Sequence, residues 1–300
     1  IDGGADGTAT ETHDDQTFSL SIWDYGDVAS YEGRQNDFTI SQNLDGSFTI
    51  TDINLDDGNE GSDTLTGIEI IEFEDRDELL VVEMDSYSFM DYWTGETVSE
   101  DWSYGTDFDD VIAPESGGRS DIFGGKGNDI IVGDPSESGG RDYIRGEEGN
   151  DFIDGAGRGS SAMAWENENV AEYEAPKRNF TWELDSANEL GLTSGITRVN
   201  YSGEGVGQLD TLSADLGLSL GSYFQADQEY WIVSDKRGDD GLGTDILTNI
   251  DVLYFNDTDV RLSVFKDPWG GFIDGTDFAD TVIGEGVSEW IYAEGGDDRI

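Results

Sequence analysis

The chain has no cysteine, one histidine, 4 prolines and few cationic side chains, and each shortage excludes something. Without cysteine there is no disulfide framework and no thiolate metal site. A nucleophilic triad needs a histidine beside its Ser or Cys, and the lone His13 sits in a polar stretch present in one copy only. It is expected to be an exposed loop residue. No apolar run approaches the roughly 18 residues that span a bilayer, and no basic stretch followed by an apolar one reads as an export leader. Only 15 Lys+Arg face 68 Asp+Glu, a formal net charge of -53. That charge repels nucleic acid and anionic membranes alike, which excludes both as partners. It also opposes compaction, so something must neutralise the carboxylates before the chain packs densely. Divalent cations would do this, with a high-salt habitat as the plain alternative.

What is present is apolar and repetitive. Aromatic residues make up 11% of the chain, too many for a disordered acidic tail, and the 41 glycines are spaced in motifs. Internal repeats come first. WDYGDVASYEGRQNDFTI (Trp23–Ile40) matches WENENVAEYEAPKRNFTW (Trp165–Trp182) at an offset of 142, pairing Val28/Val170, Tyr31/Tyr173 and Phe38/Phe180. GSDTLTGIEIIEFED (Gly61–Asp75) matches GTDILTNIDVLYFND (Gly243–Asp257) at an offset of 182. The second copy therefore carries an insertion, at about residues 184–226, expected to be a surface excursion. GTDFDD at Gly105–Asp110 recurs as GTDFAD at Gly275–Asp280. Alternating runs around Asp45-Gly46 read as a strand hairpin, and no segment sustains a helical period, so an all-β chain is expected. The ends, Ile1 and Ile300, fall inside what read as repeats, so the chain is expected to be an excerpt of a longer array.

Between the duplicated stretches lies the motif with chemical content. Gly124-Gly125-Lys126-Gly127-Asn128-Asp129-Ile130-Ile131-Val132 fits G-G-x-G-x-D-x-U-x, where U is a large apolar residue, and Gly146–Asp154 fits with one glycine replaced. Glycines permit a tight turn whose carbonyls point inward, Asp adds a carboxylate, and x-U-x is a minimal strand. Stacked turns would place these oxygens around a hard cation. Calcium takes 6–8 oxygens at about 2.3–2.6 Å in flexible geometry, magnesium demands a strict octahedron, and zinc would want His or Cys. The candidate ligands are Gly105, Asp107, Asp110, Asp121, Gly124, Gly125, Gly127, Asn128, Asp129, Gly140, Asp142, Gly146, Gly149, Asn150 and Asp151. In the second block they are Gly275, Asp277, Asp280, Gly296 and Asp298. The best sites are expected around Asp129, Asp151 and Asp110. The apolar positions taken as Ile112, Phe123, Ile131, Ile144 and Ile153 are irregularly spaced, so fewer ions than in a regular array are expected. Insertions around Pro135–Ser138 must bulge, and Trp290, standing where the first block has Asp121, suggests an edge without a carboxylate ligand.

These repeats resemble those of RTX (hemolysin-type calcium-binding) proteins. The resemblance implies a parallel β-roll, type I export and folding triggered by extracellular calcium. The expected architecture is an elongated array of calcium rolls and β-rich spacers. Residues 1–8 would end a preceding block, 9–104 form a spacer, 105–156 a roll, 157–274 a second spacer and 275–300 the start of a second roll. The expected role is a secreted or cell-surface adhesive or structural segment without catalysis of its own; paired carboxylates abound, but nothing singles out a catalytic pair. The alternatives are a calcium-folded accessory region of a secreted hydrolase or lyase, and a carbohydrate-binding module. Partners are calcium, then neighbouring copies or extracellular glycans. Trp93, Trp102, Trp269 and Trp290 are the candidates for stacking on sugars, whereas Trp23 and Trp165 read as core, and Asp56-Asp57 and Asp239-Asp240 as solvated.

Overall fold

The computed structural model describes residues 10–13, 16–19, 26–43, 45–54, 56, 61–90, 97–114, 119–134, 141–157, 168–180, 195–201, 207–237, 241–267, 271–284 and 289–300. Residues 1–8, the Pro135–Ser138 insertion, Gly140, Trp23, Trp93, Trp165, Trp269, Asp57 and Asp239-Asp240 lie outside the described residues.

Two sheets face each other across an apolar seam. In the first, Thr97–Tyr104, Arg119–Phe123, Tyr143–Arg145, Val170–Tyr173 and Val252–Phe255 run parallel, each bonded to the next. In the second, Val111–Ile112, Ile130–Val132, Phe152–Asp154 and Thr244–Thr248 do the same. The chain crosses from one sheet to the other at each turn, which is a parallel β-roll. Most of the short strands point a large apolar side chain inward, with Ala171 holding that place in Val170–Tyr173. Ile112, Ile122, Ile131 and Ile144 are 0% exposed, and Ile153, Leu247 and Leu253 continue the same column. Burying one such side chain stabilises by about 1.5–3 kcal/mol relative to leaving it in water. Since so short a strand contributes so little by itself, the roll holds together only as a stack.

Three expectations change here. The inward residue of the second coil is Ile122, in register with Ile144, and not Phe123. Phe123 stays half-buried on the outer face, stacked on Tyr104 at 5.1 Å and lying under the Arg145 guanidinium. The sheets also run across the boundaries expected at residues 105 and 156. Thr97–Tyr104 already belongs to the roll, and Val170–Tyr173, Thr244–Thr248 and Val252–Phe255 add a further coil to it. Lastly, the described part of the insertion holds an α-helix, Gln208–Asp215, which presses Leu209 and Leu212 onto Phe152, Tyr230 and Ile246. Two turns are too few for a period to stand out in sequence.

The first spacer repeats the parallel pairing of the final coil. Val28–Ser30 pairs parallel with Ile70–Glu72 as Val170–Tyr173 pairs with Val252–Phe255. The Asp27 amide donates to Glu69 Oε2 (2.8 Å) as the Asn169 amide donates to Asp251 Oδ2 (3.1 Å). Each spacer also seats on the roll that follows it through an aromatic pair, Phe48 on Phe108 at 5.1 Å and Trp231 on Phe278 at 4.7 Å.

Candidate metal centre

The glycine turns between the sheets bring aspartates into a row. The Asp110 amide donates to Asp129 Oδ1 (2.9 Å), the Asp129 amide to Asp151 Oδ1 (2.9 Å), and the Asp151 amide to Asp245 Oδ1 (3.1 Å). Each carboxylate thus accepts from the coil before it, which fixes its χ angles and aims the second oxygen along the turn. Asp129 and Asp151 are 0% exposed, and the Oδ2 atom of each has no hydrogen-bond partner. A buried carboxylate oxygen left so costs about 1–3 kcal/mol or more. Backbone oxygen lies close to that of Asp129: a methyl built on Gly124 would meet both Asp129 Oδ2 and the Gly146 carbonyl at 2.5 Å; one on Gly146 would meet Asp151 Oδ2 itself, at 2.0 Å. These glycines are therefore required by the close approach of oxygens. Among the described residues no three His, Cys, Asp or Glu side chains cluster as a site built of side chains alone. Here the donors are single carboxylates with turn carbonyls, a hard, anionic set that suits calcium.

The opposite edge carries a second, shorter row. Asp142 Oδ1 accepts from the Ser120 amide at 3.1 Å and its Oδ2 from the Asp134 amide at 3.1 Å. In the second block Asp280 and Asp298 repeat the first row, the Asp280 amide donating to Asp298 Oδ1 at 3.0 Å. There Trp290 lies on the outer face, 72% exposed, level with Phe272. The carboxylate place on that edge belongs to the residue before it, Glu289: its Oε2 lies 2.8 Å from a methyl built on Gly284, as Asp142 Oδ2 lies 2.6 Å from one on Gly133. The expected edge without a carboxylate therefore has one.

Several other candidates stand apart from the rows. Asp121 points outward, 3.8 Å from Arg119, and its neighbour Ser120 holds the place in register with Asp142. Asp107 pairs with Lys126, and Asp277 with Lys177 at 3.3 Å. Asn128 and Asn150 form a side-chain ladder of their own, Asn128 Oδ1 accepting from the Asn150 amide and Asn150 Oδ1 from the Thr244 amide. Gly105 and Gly275 sit where coils touch: a methyl on Gly105 would lie 1.9 Å from the Gly124 carbonyl oxygen, and one on Gly275 2.7 Å from that of Ala293. At Gly125, Gly127 and Gly296 the backbone φ is 99°, 112° and 97°, conformations that side chains disfavour. Sequence reasoning missed Asp245, Asp251 and Glu289. The signal for Asp245 was the same Gly-x-Asp followed by an apolar pair that marks Asp129 and Asp151, hidden within the spacer signature.

Electrostatics matches this geometry. Burial, first of all, pushes the Asp129 carboxyl up to about 9, and the Asp151 and Asp110 charges push the same way. Burial holds Asp142 at about 7 and raises Asp110, Asp151 and Asp245 as well. Such groups bind protons more tightly folded than unfolded, where the value is 3.8, so without metal the roll loses stability as pH rises from about 4 through 9. In chelator, circular dichroism should therefore show more β-structure at about pH 5.5 than at about pH 8. The opposite order would contradict the burial of these carboxylates.

A stack of parallel two-strand coils, joined by glycine turns with inward-facing aspartates, defines a calcium-binding β-roll. A family model described as RTX calcium-binding nonapeptide repeat (4 copies) matches residues 116–135, 138–157 and 274–300. The chain thus carries RTX calcium-binding nonapeptide repeats, at the two places where the rows form. No curated protein matches the chain. No helix among the described residues is long and apolar enough to cross a membrane.

Proposed function

We propose that this chain is an extracellular structural segment that folds when calcium reaches it, one length of an adhesive or surface-forming array. The observation that carries the reading is the pair of buried, unpartnered oxygens, Asp129 Oδ2 and Asp151 Oδ2, in consecutive coils, the first of them close to the Gly146 carbonyl. Calcium bound there would supply the positive charge that lets 0%-exposed carboxylates stay ionised. Asp129, Asp151 and the turn carbonyls around Gly124 and Gly146 would hold the ions, with Asp298 serving the second block, where Asp280 Oδ2 already takes the Thr276 amide and hydroxyl. Where calcium is scarce, the net charge of -53 keeps the chain expanded and fit for export; outside, metal stacks the coils.

Array architecture is supported by the duplication. In the second spacer Val170 is 0% exposed, covered by the roll strand Tyr143–Arg145. Val28, its counterpart in the first spacer, is 53% exposed, and Ser62–Thr64 are exposed where Asp245 and Ile246 are buried. The first spacer thus offers the same edge for another roll coil to stack on. The reading gives the segment no catalysis. A calcium titration followed by circular dichroism tests it: β-structure should rise cooperatively with calcium, and a titration without any change would defeat the proposal.

A further inference from the structure

Asp129, Asp151 and Asp245 occupy equivalent places in three successive coils, yet their second oxygens differ. In Asp129 and Asp151, Oδ2 is buried and without a partner. In Asp245, 2% exposed, Oδ2 accepts a hydrogen bond from the Tyr173 hydroxyl at 2.8 Å. The source of that hydroxyl is informative. Tyr143 pairs with Val170 and Ile144 with Ala171, so two residues further on Tyr173 stands level with Gly146. Gly146 is the residue whose missing side chain leaves room beside Asp151 Oδ2. In the last coil a tyrosine replaces the cradle glycine, and its ring reaches across the seam to the carboxylate. On the other edge Asp251 Oδ1 takes the Ser263 hydroxyl, and Oδ2 the Asn169 amide. The first spacer repeats the device, with the Tyr31 hydroxyl donating to Asp63 Oδ2 at 3.2 Å.

We propose that Tyr173 takes the place of calcium in the coil of Asp245, so that the spacer coil is metal-free and seeds the stacking of the calcium coils. A hydroxyl gives a buried carboxylate one hydrogen bond without needing any ion from solution, and the aromatic cluster of Tyr173, Phe180 and Phe255 supplies packing that the glycine turns lack. Tyr173 is thus a positioning residue that ends the metal row. This inference rests on the proposal that the roll folds with calcium.

Hydrogen exchange of the whole chain, in chelator and in calcium, separates the two. In chelator, amides of residues 244–255 should exchange at least about tenfold more slowly than those of residues 129–154, and in calcium both should be protected. Tyr173→Phe should speed exchange of 244–255 by about tenfold or more in chelator, with recovery in calcium. If wild-type residues 244–255 exchange in chelator as fast as 129–154, or if Tyr173→Phe changes nothing there, the inference falls. If instead residues 129–154 are equally protected with and without calcium, it is the calcium-folding proposal that falls. Should Tyr173→Phe fail to fold even in calcium, Asp245→Asn decides. It should leave the number of calcium ions bound by the chain unchanged, because Asp245 holds no ion; loss of one ion would overturn the assignment.

Discussion

Asp151→Asn should raise the calcium concentration at the folding midpoint at least about tenfold, equivalent to about 1.4 kcal/mol, while making the chain more stable in chelator. The two halves of this result have opposite signs for one reason. Asn retains an oxygen at Oδ1 to accept the Asp129 amide, so the backbone row survives. What it loses is the charge on a group that is 0% exposed and whose Oδ2 has no partner in the protein. With calcium that charge is a ligand and its loss weakens binding; without calcium it is a buried ion whose removal relieves the fold. A mainly structural Asp151 would be destabilised by the substitution under both conditions. Calcium titrations by circular dichroism, and thermal unfolding in chelator at about pH 8, distinguish the two outcomes.

Gly149→Ala should cost about 3 kcal/mol or more of stability even in saturating calcium. An added Cβ would lie 1.5 Å from the Gly127 carbonyl oxygen, which is main chain of the neighbouring coil, at a residue whose φ is 154°. Neither atom can move aside without opening the stack. The alanine keeps its own carbonyl, so a lost metal ligand does not account for the cost. Gly221→Ala is the control: nothing lies within 4 Å of the added methyl, and its effect should stay within about 0.5 kcal/mol. Thermal unfolding of both variants in calcium reads the difference, and equal effects would refute the close-approach explanation.

The turns were legible because their grammar is local. Gly127 and Asp129 are two residues apart, and the apolar residue that fills the seam follows two later, so a single coil carries its own signature. The all-β class and the rows through Asp110, Asp129, Asp151, Asp142 and Asp280 followed from that. What was not legible depends on register between distant strands. Asp245 joins the row 94 residues after Asp151, across an insertion that includes a helix, and nothing local announces that it stacks there. Asp121 and Ser120 differ by one position, yet a strand turns that single step into inside against outside. The same one-residue shift drew attention to Trp290 and away from Glu289. The spacer matched its duplicate clearly in sequence, but the match could not say that the duplicated unit is itself a coil of the roll.

The claim that metal completes this fold is tested most directly by following far-ultraviolet circular dichroism as calcium is added to the chelated chain, with magnesium as the parallel titrant. The expected result is a partial β signal in chelator, from the tyrosine-sealed spacer coil, that grows cooperatively to its full size with calcium and not with an equal concentration of magnesium. A chelated spectrum identical to the calcium-loaded one would contradict the account.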